Sequence, residues 1–374
     1  MQYHRFQDLE LSALGMGCMR LPVLEGNYGR IDMEKTKELV KCALENGINY
    51  FDTAWGYHEG TSEIAIGEAL KEYPRESFYL ASKFPGFNLE TMAKKEEIFE
   101  KQLSKCQVEY FDFYLFHNVW EKNIDGFLDP ELGVAEYLLE QKRNGRIRHL
   151  GFSTHGSLAT MKRFLDALDG QLEFCQIQLN WLDWELQEAK KKVELIRSYG
   201  IPVWVMEPVR GGRLVQLPER YTRELRKLQP EWTLPQWAFR FLQSIEGVTM
   251  TLSGMSDLQQ LQDNIATYAS PRPLNEQEMA ALLGVADRMT VSNTMACTGC
   301  RYCTEKCPQT LDIPWLVERY NERLFSGGKA VWTLPERAEG KDPAACIGCQ
   351  NCESVCPQNI RISDMMRDFA ANLE

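Results

Sequence analysis

The 374-residue sequence contains no long apolar run, and no stretch approaches the roughly 18 apolar residues of a membrane-spanning helix. Positive charge is also scarce, since 53 acidic residues against 42 basic residues give a formal net charge of −11. This balance argues against nucleic acid and anionic membrane surfaces as the main partners. The first residues, Met1–Phe6, lack the apolar core of a secretion signal, so the sequence predicts a cytoplasmic protein.

A glycine-rich phosphate loop is missing too, because no G-x-G-x-x-G motif opens a helix. An open, doubly wound sheet would be expected to carry such a loop early in the chain. Instead, apolar runs alternate with helical patterns, and eight such units predict an α/β fold, a closed (β/α)8 TIM barrel. A polar hairpin over Tyr3–Ser12 precedes them. The predicted barrel strands are Leu14–Met19, Gly47–Phe51, Phe78–Lys83, Phe111–His117, His149–Ser153, Phe174–Asn180, Val203–Met206 and Val248–Ser253.

Cysteine, in contrast, is unusually frequent. Four of the twelve cysteines are scattered and are expected in the core, whereas eight fall between Cys297 and Cys356. Because a reducing cytoplasm disfavours structural disulfides, this dense group predicts bound metal. The scattered cysteines are Cys18, Cys42, Cys106 and Cys175.

The eight clustered cysteines form two copies of one motif, Cys-x-x-Cys-x-x-Cys-x-x-x-Cys-Pro. Both copies resemble the iron–sulfur runs of bacterial ferredoxins. A four-cysteine zinc site is the alternative, but the third close cysteine and the repeated Cys-Pro favour two [4Fe-4S] clusters. In this ferredoxin pattern the fourth cysteine of a run binds the other cluster. The resemblance therefore implies one set of Cys297, Cys300, Cys303 and Cys356, and a second set of Cys346, Cys349, Cys352 and Cys307.

The sequence thus divides into two predicted domains. Residues 1–290 form the barrel, and residues 291–374 form a small α-helical, ferredoxin-like iron–sulfur domain. The polar residues Thr290–Asn293 are the predicted linker. The stretch between the two cysteine runs is longer than in small ferredoxins and includes a predicted helix over Pro314–Phe325.

Four polar side chains lie at or just beyond the ends of predicted barrel strands, where catalytic loops collect. They are Asp52, Tyr57, Lys83 and His117. Tyrosine has an unperturbed pKa of about 10, which is too high for an efficient acid near neutral pH. A neighbouring ammonium favours the phenolate, and a carboxylate holds that ammonium in place. The four residues therefore predict a proton-donating site.

Three segments that carry these residues resemble separate signatures of the aldo/keto reductases: Gly47–Tyr57, Ala81–Lys83 and Tyr114–His117. The resemblance extends across roughly residues 1–290. It implies reversible reduction of an aldehyde or ketone, with hydride from a nicotinamide and a proton from Tyr57.

The resemblance also assigns roles to the other three polar residues. Asp52 and Lys83 are implied to tune the pKa of Tyr57, and His117 is implied to orient the carbonyl oxygen. Together, these four residues match the family's catalytic tetrad in type, order and strand position.

A nicotinamide dinucleotide, NADP(H) or NAD(H), is implied as well, although the matching positions are less complete. Thr154 stands where the family usually has asparagine, and Met206 stands where an aromatic ring commonly stacks on the nicotinamide. Gln260 stands where an arginine often binds the 2′-phosphate, yet other branches with glutamine there use NADP. The alternative is a barrel that has lost its dinucleotide. The implied contacts are Ser153, Gln176, Asn180, Pro208, Gly212, Leu214, Gly254, Ser256, Gln260 and Asn264.

Three hypotheses for the whole chain stay open on the sequence alone. In the first, the clusters exchange electrons with the barrel site or with a redox protein partner. In the second, the clusters are structural and cap the barrel mouth. In the third, the chain is an electron-transfer protein that uses the barrel as a scaffold. Coupling a two-electron hydride to one-electron clusters normally needs a flavin, and the sequence has no flavin motif.

The expected substrate is a small carbonyl compound or alcohol. Trp120 and Phe127 lie on the loop after the fourth predicted barrel strand and are expected to line the pocket. The family includes monomers and dimers, and we expect a monomer.

Overall fold

A computed structural model describes residues 1–290, 295–325, 340 and 342–372 of the chain. Residues 291–293 of the predicted linker lie outside this described part. The described residues form ten β-strands. In chain order these are β1 (Tyr3–Phe6), β2 (Leu9–Ser12), β3 (Leu14–Gly17), β4 (Tyr50–Asp52), β5 (Tyr79–Pro85), β6 (Phe111–His117), β7 (Ile147–Thr154), β8 (Cys175–Gln178), β9 (Val203–Met206) and β10 (Val248–Ser253).

Strands β3 to β10 form a closed barrel in which every neighbouring pair is parallel. The strand order is β10-β3-β4-β5-β6-β7-β8-β9, so strands that are consecutive in the sequence are neighbours. β1 and β2 pair separately as an antiparallel hairpin. The predicted barrel and hairpin are therefore confirmed. β3 is shorter than predicted, because Cys18–Arg20 form a 3-10 turn.

Helices connect the barrel strands, and several begin at a side-chain cap. Asp32, Ser157 and Asp257, for example, each accept a hydrogen bond from a backbone N–H of the first helical turn. None of the described helices is both long and apolar enough to cross a membrane. The helices are α1 (Met33–Glu45), α2 (Ser62–Leu70), α3 (Leu89–Ala93), α4 (Lys95–Cys106), α5 (Ile124–Leu128), α6 (Val134–Arg143), α7 (Leu158–Ala167), α8 (Asp183–Leu186), α9 (Ala189–Ser198), α10 (Glu219–Leu228), α11 (Leu234–Gln243), α12 (Leu258–Ala269), α13 (Glu276–Thr290), α14 (Ile313–Phe325), α15 (Asn351–Ser354) and α16 (Ile362–Ala371).

Apolar side chains from several barrel strands meet in one buried cluster. Along a strand, the next side chain on the same face is two residues further on. Three members of the cluster are followed at this spacing by a polar residue near the strand end, so the strand period aims these polar side chains at the carboxyl edge of the barrel. The pairs are Tyr50 and Asp52, Ala81 and Lys83, and Leu115 and His117.

The hairpin β1–β2 contributes to the same cluster through Phe6 and Leu11. The ring of Phe6 lies 5.6 Å from that of Phe113 and 5.2 Å from that of Trp204, centroid to centroid. Phe6 is 4% exposed, so its burial supplies a large apolar contribution at this end of the barrel. The hairpin therefore contributes apolar side chains to the barrel core, and the polar residues lie at the carboxyl ends of the strands.

The described contacts divide the chain into two compact units. The first contains Met1–Pro208 and Trp232–Met279, which include all ten strands. The second contains Val209–Glu231 and Ala280–Glu374. Its core includes apolar residues of α14 and α16, where the rings of Tyr320 and Phe369 lie 5.7 Å apart. The predicted domain boundary after residue 290 stays a prediction.

Glu173 ties the hairpin to the barrel wall. Its carboxylate accepts hydrogen bonds from Gln7 Nε2 at 2.7 Å, His149 Nδ1 at 3.1 Å, Lys142 Nζ at 2.8 Å and Leu150 N at 2.9 Å. Burial acts to raise the pKa of Glu173, but these hydrogen bonds outweigh burial and lower the pKa to about 2 from the ordinary 4.5. The carboxylate is therefore held ionised in the folded chain.

This pKa shift predicts how stability depends on pH. Because the pKa of Glu173 is lower in the folded chain, its carboxylate stabilises the fold above about pH 4.5, and this stabilisation disappears as the pH falls towards 2. We expect Glu173→Gln to lower the free energy of unfolding at neutral pH by about 1–3 kcal/mol in urea denaturation. The difference from the natural protein should shrink as the solution is acidified. The control Glu246→Gln, at a side chain 82% exposed, should change stability by less than about 0.5 kcal/mol. Equal effects of the two changes would contradict the role of Glu173.

Candidate active site and cysteine centres

The ammonium of Lys83 is the centre of the candidate active site. Its Nζ donates hydrogen bonds to Asp52 Oδ1 at 2.6 Å, to the backbone oxygen of Thr53 at 2.8 Å and to Tyr57 Oη at 3.2 Å. Lys83 is 0% exposed, and Asp52 and Tyr57 are also buried. Burying an ammonium without partners is strongly unfavourable, so these three acceptors are what permit a lysine at this depth.

A strained turn holds Tyr57 in front of this lysine. Tyr57 opens the 3-10 turn Tyr57–Gly60, in which His58 and Glu59 have left-handed φ angles of 52° and 56°. The ring of His58 fixes the turn from both sides, with Nε2 accepting from Leu21 N at 3.1 Å and Nδ1 2.7 Å from the backbone oxygen of Tyr28. Non-glycine residues adopt such angles only where surrounding contacts impose them.

Burial shifts the pKa values of the two other predicted site residues, Asp52 and His117. It raises the pKa of Asp52, and the ammonium of Lys83 acts in the opposite direction. His117 lies with its ring 5.9 Å from that of Tyr57, at an interplanar angle of 83°. Burial first, and then the neighbouring Lys83 and His155, lower the pKa of His117 well below its ordinary value. His117 is therefore neutral near neutral pH, and it can donate one hydrogen bond to an oxygen beside Tyr57.

The aromatic walls of the site differ from the prediction. Phe127 is 0% exposed and packs against Phe84, Phe116 and Phe164, so it belongs to the core and does not line the pocket as predicted. Its helix, α5, turns the ring inwards, which the sequence pattern of this loop did not indicate. Phe87 instead lies against the site: its side chain is 43% exposed, and its ring is 5.5 Å from that of His117.

A buried carboxylate behind the site escaped the sequence analysis. Glu63 on α2 is 0% exposed, and its Oε1 accepts from Ser82 Oγ at 2.6 Å and from Gln102 Nε2 at 2.5 Å. Lys105 Nζ lies 3.4 Å from Glu63 Oε2 and donates to the backbone oxygen of Gly60 at 3.3 Å. Glu63 thus links strand β5 to the turn that carries Tyr57. The spacing of Glu63 with Ile66 and Leu70 on one apolar helix face was the available signal.

Gln102 on α4 connects this carboxylate to strand β5, which carries Lys83. Its Nε2 also donates to the backbone oxygen of Lys83 at 3.0 Å, and its Oε1 accepts from Tyr114 Oη at 2.5 Å. Gln102 is 0% exposed, so every one of these groups depends on the others for its hydrogen bonds. We call Glu63, Ser82, Gln102, Lys105 and Tyr114 the supporting network.

Among the predicted nucleotide contacts, Gln176 has the clearest free acceptor. Its Oε1 is buried and accepts no hydrogen bond from any described residue, whereas its Nε2 lies 3.9 Å from Met206 Sδ. Ser153 pairs with Gln176 in the barrel register, and its Oγ accepts from Asn118 N at 2.9 Å. The hydroxyl of Thr154 donates to the backbone oxygen of Val119 at 2.6 Å, so this departure from the family pattern has a structural use.

Other predicted contacts are already engaged within the barrel unit. The side chain of Asn180 bonds with Asp183, with Leu182 N and with the backbone oxygen of Glu207. In the segment after β10, Gln260 Oε1 accepts from Ser256 N at 2.9 Å, and Asn264 Nδ2 donates to Ser253 Oγ at 3.3 Å. Gly212 and Leu214 belong to the second unit, whereas Pro208 ends a segment of the first.

Arg20 brings a positive charge to the segment in which the sequence offered only Gln260. Its backbone oxygen accepts from Ser256 Oγ at 2.8 Å, and a side chain at Gly254 would meet the Arg20 side chain at 3.0 Å. The guanidinium lies 3.9 Å from a carboxylate oxygen of Glu207. Arg20 follows β3 at the carboxyl edge of the barrel, and this position was readable from the sequence.

The eight clustered cysteines line two cavities in the second unit. One cavity is lined by Cys297, Cys300, Cys303 and Cys356. The other is lined by Cys307, Cys346, Cys349 and Cys352. Each cavity thus gathers three cysteines of one run and the fourth of the other run, which is the predicted grouping. No three described Cys, His, Asp or Glu side chains converge as ligands of a single metal ion; the cysteines surround two cavities instead.

The two cysteine runs also share a backbone conformation. We call residues 297–303 the first cysteine loop and residues 346–352 the second cysteine loop. The second and fourth positions after the first cysteine have left-handed φ angles in both loops, and each run is followed by a helix, α14 or α16. The matching angles are 68° at Gly299 and 69° at Gly348, and 65° at Arg301 and 62° at Gln350.

Residues 13–287 match the model of the aldo/keto reductase family, over most of the chain. This chain belongs to the aldo/keto reductase family. It is an oxidoreductase, and the predicted family and fold are confirmed. Residues 296–360 match the model of the 4Fe-4S dicluster domain, so this aldo/keto reductase carries a C-terminal iron–sulfur region.

Several relatives and solved structures are similar to this reductase. The NADH-specific methylglyoxal reductase of Escherichia coli (strain K12) is 26% identical over 303 residues, which are 69% of this chain and 90% of that protein. Probable aldo-keto reductase 1 of Glycine max is 29% identical over 215 residues, and the matched part spans only 58% of that protein and 55% of this chain. The structure of aldo-keto reductase AKR11C1 from Bacillus halodurans, in its holo form, has a TM-score of 0.63 and 26% identity, covering 76% of this chain and 96% of its own.

The supporting network leads to a stability prediction. Gln102→Leu keeps the side-chain size but removes the donor to Glu63 Oε1 and to the backbone oxygen of Lys83, and the acceptor of the Tyr114 hydroxyl. We expect the free energy of unfolding to fall by about 2–4 kcal/mol in urea denaturation. Gln259→Leu, on the exposed face of α12, is the matched control and should cost less than about 0.5 kcal/mol. A Gln102→Leu protein as stable as the control would show that the network does not support strand β5.

Proposed function

We propose that this aldo/keto reductase reduces a small aldehyde or ketone reversibly, with NADPH or NADH as the hydride donor and Tyr57 as the proton donor. The three hydrogen bonds of Lys83 carry the proposal, because they join the phenol of Tyr57 to a buried ion pair. When bound, the reduced nicotinamide supplies the hydride. Everything else in the reaction is the work of the protein's own side chains.

Tyr57 gives its proton to the carbonyl oxygen as negative charge develops there. The phenolate left behind lies 3.2 Å from the ammonium of Lys83, which stabilises it. Asp52 holds the ammonium of Lys83 in place, because its Oδ1 lies 2.6 Å from Nζ. His117, held neutral by its surroundings, donates a hydrogen bond that orients the same oxygen. In the reverse direction the phenolate takes the proton back from the alcohol.

The nucleotide is proposed to bind where barrel strands β7 and β8 end. The buried Oε1 of Gln176 is an acceptor that suits the carboxamide N–H of a nicotinamide. Arg20 is proposed to contact a phosphate beside Gly254 and Ser256. The relative in Escherichia coli is named an NADH-specific methylglyoxal reductase. This name supports NADH as one of the two proposed hydride donors, and it supports a small carbonyl compound as the substrate. Phe87 is proposed as an apolar wall of the substrate pocket.

We also propose that the two cysteine-lined cavities each hold a [4Fe-4S] cluster. Thiolates are the usual ligands of such clusters, and each cavity offers four. When bound, a cluster supplies one-electron chemistry, whereas the nicotinamide supplies an electron pair. The sequence has no flavin motif that would couple one-electron to two-electron transfer. We therefore propose that carbonyl reduction at Tyr57 is independent of the clusters, and that the clusters serve a redox protein partner.

Removal of the phenol tests the proton donor. We expect Tyr57→Phe to lower the rate of methylglyoxal reduction by at least about 100-fold, because it removes the hydroxyl that is proposed to give the proton beside Lys83. Binding of NADPH and NADH, followed by nicotinamide fluorescence, should stay within about 2-fold. Tyr73→Phe, outside the site, is the control and should keep the natural rate. An unchanged rate in Tyr57→Phe would refute the proton donor, and failure of the natural protein to bind either nucleotide would favour the barrel as a scaffold.

Paired cysteine changes test the ligand sets. We expect Cys303→Ala and Cys356→Ala to remove the same one of two reduced-cluster signals in electron paramagnetic resonance, although these cysteines lie in different runs. Cys307→Ala and Cys352→Ala should both remove the other signal. Cys42→Ala, on α1, is the control and should keep both signals. Losses grouped by run, with Cys303 and Cys307 alike, would contradict the crossed arrangement.

A further inference from the structure

Two arginines of a segment outside the cysteine motifs bind the chain where it enters the first cysteine loop. Arg213 Nη1 donates to the backbone oxygens of Met295 at 3.0 Å and Cys297 at 3.3 Å. Arg210 Nη2 lies 3.4 Å from the backbone oxygen of Ala296, and Arg210 is 2% exposed. Both arginines belong to the same unit as the loop. Two guanidinium groups therefore bind the backbone at and just before Cys297, the first proposed ligand.

The backbone around these arginines is built for this contact. Arg210, Gly211 and Gly212 have consecutive left-handed φ angles of 51°, 65° and 93°. Such an angle is unfavourable for an arginine, so surrounding contacts have to hold it. The hydrogen bonds to residues 295–297 are contacts of this kind.

The second cysteine loop has the same backbone but a different environment. Ile347 is 63% exposed, and Cys349 is exposed. At the matching positions of the first loop, Thr298 is 3% exposed and Cys300 is half-buried, whereas the third cysteines, Cys303 and Cys352, are buried in both loops. The two sites thus share ligand spacing and φ angles, while solvent and nearby charge distinguish them.

We propose that Arg210 and Arg213 raise the reduction potential of the cluster held by Cys297, Cys300, Cys303 and Cys356, and protect that cluster from iron loss. This inference rests on the proposed occupancy of both cavities by clusters. The second site, whose cysteine loop is the more exposed, binds the cluster that loses iron first.

Electrostatics gives the direction of the effect. A reduced cluster carries one more negative charge, so nearby fixed cations favour reduction. Burial opposes this, because water stabilises the more highly charged form less well at a covered site. The two guanidinium groups therefore offset a cost that the covered site would otherwise impose.

A redox titration of the full chain, followed by electron paramagnetic resonance, tests the proposal. We compare the natural protein with Arg213→Gln, Arg213→Lys and Arg367→Gln. Arg367 is 76% exposed on α16, so its change removes one positive charge from the same unit at the surface. We expect Arg213→Gln to lower one midpoint potential, the one that is missing in Cys303→Ala, and to leave the other in place. Arg213→Lys should recover most of the shift, and Arg367→Gln should leave both midpoints unchanged.

The results separate this proposal from the one on which it rests. A natural protein without two cluster signals would refute cluster occupancy and this inference together. Two clusters with unshifted midpoints in Arg213→Gln would overturn only the role of the arginines. Equal shifts in Arg213→Gln and Arg213→Lys would also overturn it, because charge would then not be the cause.

Iron release gives a second measurement in case Arg213→Gln binds iron poorly. With a coloured iron chelator, the natural protein should lose iron in two phases, and Arg210→Gln should speed up only the slower phase by at least several-fold. A single phase in the natural protein, or a faster early phase in the variant, would contradict the protection of the first site.

Discussion

The buried ammonium of Lys83 is the group on which the barrel site depends. An ammonium without partners in the protein interior is strongly destabilising, so the surroundings of Lys83 have to supply hydrogen-bond acceptors. They come from Asp52, Thr53 and Tyr57, all on the strand beside it or the loop that follows. The same hydrogen bonds that make Lys83 tolerable also aim the phenol. Stability and chemistry therefore use one set of contacts, and a change that loosens one loosens the other.

The closed parallel barrel makes this arrangement available. Adjacent strands bring Asp52 and Lys83 side by side, and the two-residue period lifts both above the apolar core. Apolar core residues and polar site residues therefore lie at different levels along the same strands. Glu173 stabilises the hairpin end, while Glu63 and Gln102 support β5 from behind. Glu63 supports strand β5, and thus the position of Lys83, without contacting a reacting atom. This role explains why α2 carries a buried carboxylate.

The sequence predicted the barrel well, because eight apolar runs alternating with helical patterns allow few other folds. It predicted the meeting of Asp52, Tyr57 and Lys83 because strand ends converge at one edge. It failed where contacts between distant segments decide the outcome. Phe127 was wrongly predicted to line the pocket, since its burial depends on rings from three other elements. Gln102 carried no local signal, because its partners are far away in the sequence.

The second unit makes the limit of local patterns clearer still. The motif fixes the φ angles of both cysteine loops, so spacing alone would make the two centres equivalent. The two loops differ in their neighbours, because Arg210 and Arg213 bind the chain where it enters the first loop; both arginines follow a barrel strand in the sequence and carry no iron–sulfur signature. A duplicated motif can thus yield two different centres without any change in its ligands, because charge and solvent are supplied by neighbours. The residues that distinguish duplicated metal sites should accordingly be sought in the segments that pack on them.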